Sequence, residues 1–78
     1  MTASILDQLR TSIEEAIPGA TVQVDGGGGH YTLDVLSEAF EGKNRVQAQR
    51  LVLSSIAHLM KGDGAPVHAV DSLRTRTP

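Results

Sequence analysis

Residues 20–37, Ala20-Thr21-Val22-Gln23-Val24-Asp25-Gly26-Gly27-Gly28-Gly29-His30-Tyr31-Thr32-Leu33-Asp34-Val35-Leu36-Ser37, decide the fold class. Val22 and Val24 alternate with Thr21 and Gln23, and Tyr31, Leu33 and Val35 alternate with Thr32 and Asp34. A period of two marks a strand with one buried face. Two such runs, residues 20–25 and 31–37, joined by a glycine-rich connection, predict a β-hairpin. Gly26, Gly27, Gly28 and Gly29 are expected to form a mobile loop, because each has a large backbone entropy to lose on ordering.

N-terminal to the hairpin, Ile5, Leu6, Leu9, Ile13, Ala16 and Ile17 recur at three- and four-residue steps, the period of a one-sided helix. The pattern predicts a helix over residues 4–17. Ser4 caps it, Asp7 favours its dipole and Pro18-Gly19 stops it. Beyond the hairpin, residues 38–42 suffice for one helical turn closed by Gly42. Asn44 then opens the longest helix, with Gln47 placed to complete a capping box. Val46, Leu53, Ile56, Ala57 and Met60 read as its buried stripe, widened by Val52 and Leu59, and Lys61-Gly62 ends it. Residues 62–66 form a turn. Residues 67–72 read as a third strand, Val67 and Ala69 facing inward and His68 and Val70 outward, and residues 73–78 as a polar, basic tail.

The order α-β-β-α-α-β predicts an α+β fold with helices on one face of a three-stranded sheet. The third strand returns through a helical crossover and pairs parallel to one hairpin strand, so the sheet is mixed. Seventy-eight residues read as one domain spanning 1–78. Hydrophobic content of 40% supports one thin core, packed by aliphatic side chains because Tyr31 and Phe40 are the only aromatics.

Composition narrows function. The chain has no cysteine, hence no disulfide and no thiolate for catalysis or metal binding. Met1 to Ser4 lead straight into the amphipathic pattern without the marks of a signal peptide, and no apolar stretch nears the ~20 residues of a membrane span. Cytoplasm is the expected compartment. A net charge of −2 argues against general nucleic-acid affinity, although Lys43, Arg45, Arg50, Arg74 and Arg76 fall in the second half.

Strand parity sends His68 outward, and His30 with it if the second strand reaches that far; a bulge near the glycines would reverse His30. Two histidines alone do not define a metal site, and two unrelated exposed residues is the plainer reading. His58 reads as structural, on the solvent side of the long helix. No serine sits in a nucleophile elbow, and the acidic pairs Glu14-Glu15 and Glu38-Glu41 read as helix surface. Gly26 to Gly29 satisfy the GxxG of KH domains by letters, but that motif links two helices and here would sit in a hairpin. Nothing supports free-standing catalysis; a binding protein is expected.

Phe40-Glu41-Gly42-Lys43-Asn44-Arg45-Val46, followed by Gln49-Arg50-Leu51-Val52 and later by Pro66-Val67-His68-Ala69-Val70, resembles the BolA family. Residues 31–40 and the Thr77-Pro78 ending match as well, so the resemblance runs nearly the whole chain. The glycine stretch ending in His30-Tyr31 looks closest to the IbaG/YrbA-type branch. Asn44 departs from the family's usual serine, though both residues cap helices, and the chain ends where many relatives continue.

The resemblance implies the αββααβ two-layer sandwich related to type II KH domains. It also implies partnership with a monothiol (CGFS-type) glutaredoxin, the two proteins sharing a [2Fe-2S] cluster in iron–sulfur trafficking and iron homeostasis. The family's cluster ligand falls on His68. A second ligand comes from the loop between the first two strands, where His30 is the only candidate. A glutaredoxin cysteine and glutathione would then supply sulfur and this chain imidazole. Such ligation makes retention sensitive to acidification. The competing expectation is a transcriptional regulator of stress response and cell morphology, with Lys43, Arg45, Arg50, Arg74 and Arg76 contacting phosphates. A third is zinc or iron held by His30 and His68 in a homodimer.

Overall fold

The two alternating runs pair as an antiparallel hairpin of β1 (Thr21–Gly27) and β2 (His30–Leu36) in the computed structural model, which describes residues 4–78. The expected absence of a targeting segment at residues 1–3 lies outside the described residues. Tyr31, Leu33 and Val35 are buried, with Val22 from β1, while Thr21, Gln23, Thr32 and His30 are exposed, as their alternation requires.

The glycines are not the open loop that their composition suggests. Gly26 pairs with Tyr31 and Gly27 with His30, so the ladder continues through half of the run. Only Gly28 and Gly29 turn the chain, with φ of 63° and 87°. Positive φ at both central residues is the signature of a type I′ hairpin turn, whose twist matches that of the strands it joins.

The first helix, α1 (Ile5–Ala16), starts at Ser4, whose hydroxyl accepts from the Asp7 amide at 3.1 Å. It buries Leu9 and Ile13, and Ile17 just beyond its end, against the sheet. Each such aliphatic side chain contributes about 1.5–3 kcal/mol by leaving water. A short 3₁₀ turn, Glu38–Phe40, follows β2. The buried Ser37 hydroxyl, which caps this turn, also donates to the Pro18 carbonyl at 2.8 Å.

The long helix is two helices, α2 (Arg45–Ser55) and α3 (Ala57–Met60), broken at Ile56, where φ is −115° and ψ is 7°. The cause is local. The Ser55 hydroxyl donates to the Val52 carbonyl, and the Ile56 amide bonds Leu53 at 3.3 Å instead of reaching that carbonyl four residues back. Serine hydroxyls compete with the helix ladder in this way. The buried stripe is accordingly Ala48, Val52, Ile56 and Leu59. Val46 and Leu53, expected inside, are 53% and 38% exposed, and Ala57 is exposed too. The expected capping box at Asn44 and Gln47 is complete.

The third strand, β3 (Ala69–Arg76), lies parallel to β2 and completes a mixed sheet of order β1-β2-β3. It begins two residues later than expected and absorbs most of what reads as a tail. Val67 belongs to the connection from α3: its side chain is buried and its amide bonds the Leu59 carbonyl at 3.1 Å. Parity therefore does not carry from Val67 to Ala69. Ala69 pairs with His30, while Val70 pairs with buried Tyr31 and packs against the core, the reverse of the expected assignment. The register then shifts, Thr32 opposing Ser72, which leaves Asp71 as the extra residue of a bulge. Leu73 and Thr75 are half-buried; Arg74 and Arg76 are exposed. Arg76 forks onto Asp34 at 3.2 and 3.3 Å.

Candidate metal-ligating site at the hairpin turn

The type I′ turn and the start of β3 meet through one atom. The Gly29 carbonyl accepts from the His68 amide at 2.8 Å and from the Ala69 amide at 3.0 Å. Val67, locked in the core on the other side, leaves His68 to emerge at the rim of the sheet with its side chain in solvent. The imidazole lies over Gly29: a Cβ on that glycine would come 2.7 Å from His68 Nδ1 and 2.8 Å from its Cγ. Gly29 is therefore buried although it sits in a turn.

His30 opens β2 beside this turn, opposite Ala69, so the ladder brings both histidines to the same corner. Its Nδ1 lies 3.1 Å from an Asp71 carboxylate oxygen. The two side chains are 59% and 54% exposed, which leaves the imidazole open to an incoming ligand. The bulge between β2 and β3 begins beyond His30, so its outward direction is not reversed. Among the described residues no three side chains of His, Asp or Glu form a group able to hold a metal ion. The corner offers imidazole nitrogen and no sulfur.

The basic candidates lie at the other end of β3. Arg45, Arg74 and Arg76 line one shallow hollow between α2 and β3, and Lys43, Arg45 and Arg76 line the next, beside Phe40 and Thr77. Arg50 stands apart on the exposed side of α2. His58 is exposed, with its Nε2 3.3 Å from the Ser12 hydroxyl, a contact between α3 and α1 that the sequence does not signal. Two residues of the corner are likewise missed by sequence reasoning. Gly29 is one glycine among four, and Asp71 owes its place to a bulge that alternation cannot reveal.

A model of BolA-like proteins matches residues 3–78. The chain belongs to the BolA-like family. BolA structures share its fold: BolA1 from Arabidopsis thaliana superposes with a TM-score of 0.81 at 20% identity, covering 99% of this chain and 95% of that one. The BolA domain of SufE1 from Arabidopsis thaliana gives 0.81 at 24% identity, covering 100% and 96%. A bolA protein homologue from Coxiella burnetii gives 0.77 at 30% identity, covering 100% and 94%. No curated protein matches the chain by sequence. The α-β-β-α-α-β order and the mixed sheet with helices on one face are thus those of BolA proteins. No helix among the described residues is long and apolar enough to cross a membrane.

Proposed function

We propose that this BolA-like protein is the imidazole-donating partner of a monothiol (CGFS-type) glutaredoxin, the two sharing a [2Fe-2S] cluster in iron–sulfur trafficking. The observation that carries this is the seat of His68. Its backbone is fixed by the Gly29 carbonyl, its ring rests on a glycine where any side chain would collide, and its edge faces solvent. A ligand held this firmly and left this open suits capture of a group that arrives on another molecule. His30, beside it, supplies a second nitrogen.

The donor chemistry fits half a cluster. A [2Fe-2S] centre takes four ligands, commonly protein thiolates, and histidine replaces cysteine in some proteins. A chain without cysteine cannot complete such a set. The remaining sulfur comes, on this reading, from the glutaredoxin cysteine and glutathione. The exposed Val46 and Leu53 on α2, with Arg50 between them, offer apolar area of the kind that protein partners cover.

The test is anaerobic reconstitution of the protein with a monothiol glutaredoxin, glutathione, iron and sulfide. The expected product is a 1:1 heterocomplex whose visible circular dichroism differs from that of the glutaredoxin alone. A mixture giving only the glutaredoxin spectrum contradicts the proposal.

One observation favours the nucleic-acid alternative. Lys43, Arg45, Arg74 and Arg76 converge although the chain is net acidic. Against it, Gly26 to Gly29 lie in a hairpin and not between two helices, so they cannot clamp a backbone as KH glycines do. Binding whose affinity falls steeply with salt would support that reading.

A further inference from the structure

We propose that Asp71 is a positioning residue that fixes the ring tautomer of His30 and so decides which nitrogen the chain offers to a metal; its role in cluster binding rests on the reading above. The bulge is the origin of the arrangement. Val70 opposes Tyr31 and Ser72 opposes Thr32, so Asp71 has no partner across the ladder. A bulged residue is free to re-aim its side chain. This one sets a carboxylate oxygen 3.1 Å from His30 Nδ1.

An ionised carboxylate only accepts hydrogen bonds. A neutral His30 ring in this contact therefore carries its proton on Nδ1 and donates it to Asp71. Nε2, on the far side of the ring, is left with a bare lone pair, on a side chain that is 59% exposed. A free imidazole in water prefers the opposite tautomer, with the proton on Nε2 and the outward nitrogen blocked. Metal-binding histidines characteristically carry such a carboxylate on the nitrogen that does not bind. His68 is held by a different means, its backbone bonds and its packing over Gly29.

The tautomer is read directly from the ¹⁵N shifts of the His30 ring in the protein without metal, at about pH 8.5, where an ordinary imidazole is neutral. Wild type is expected to show an N–H type Nδ1 and a lone-pair type Nε2. Asp71→Ala is expected to reverse the balance toward Nε2–H, while Asp71→Asn, which keeps an acceptor oxygen, retains part of the original preference. In the glutaredoxin heterocomplex, Asp71→Ala is expected to speed cluster loss about 10-fold, the lower end of what outer carboxylates contribute to metal affinity.

An unchanged tautomer in Asp71→Ala overturns the inference whatever the cluster does. A shifted tautomer with wild-type cluster loss overturns the positioning role. A His30→Ala complex identical to wild type overturns the ligand assignment and the positioning role with it, the tautomer result being read independently.

Discussion

A methyl group at position 29 would come 2.7 Å from His68 Nδ1, at a backbone φ of 87°, whereas at position 28, with φ of 63°, it would meet open space. The two turn glycines therefore separate strain from function. Gly28→Ala is expected to cost about 1–2 kcal/mol from the left-handed backbone alone, measured by urea unfolding, and to leave the cluster complex intact. Gly29→Ala carries the same strain and also displaces the imidazole, so cluster binding is lost even in the protein that remains folded. At this scale alternation places His30 outward, because it lies on β2 and follows that strand's parity. His68 is exposed from the connection ahead of β3, for a reason that parity does not supply. The seat under His68 and the carboxylate beside His30 are not legible. They depend on where a ladder begins and where it slips, which pairing between strands decides and local sequence does not.

The helices divide in the same way. End signals are readable: Ser4 and Asn44 both cap as their side-chain chemistry predicts. Asn44→Ala removes the acceptor for the Gln47 amide and is expected to cost about 1 kcal/mol in thermal or chemical unfolding. The interior of the second helical stretch misleads, because Val46, Leu53 and Ala57 keep a helical period with Ile56 and Met60 while a different set faces the sheet. The Ser55 hydroxyl takes the Val52 carbonyl, and the helix breaks at Ile56. Paired substitutions check the observed stripe. Ile56→Ala, at a fully buried site, is expected to lose about 2–5 kcal/mol, while Leu53→Ser, on the exposed side, stays within about 0.5 kcal/mol of wild type. Equal losses would mean that the periodic pattern and not the broken helix describes the packing.

Across the molecule, β3 carries a candidate site at each end. Its seven steps from Ala69 to Arg76 span about 23 Å at ~3.3 Å per residue, with the imidazoles at one end and the basic hollows at the other. The two can be separated by mutation. Arg45→Ala combined with Arg74→Ala is expected to leave the visible spectrum of the cluster complex unchanged, since neither residue lies at the histidine corner. Any nucleic-acid affinity should lose close to two units of its salt slope, about 0.9 per phosphate contact on duplex DNA. Fold class, element order and the mixed sheet are legible in the sequence, because amphipathic period and crossover topology leave few alternatives. The convergence of Arg45 with Arg74 and Arg76 is not, since it requires the apparent tail to become strand. Cluster sharing through His68 is tested by visible circular dichroism of the reconstituted 1:1 complex with a monothiol glutaredoxin, comparing wild type with His68→Ala. The substitution is expected to abolish the features that distinguish the heterocomplex from the glutaredoxin alone. A His68→Ala complex with the wild-type spectrum would contradict it.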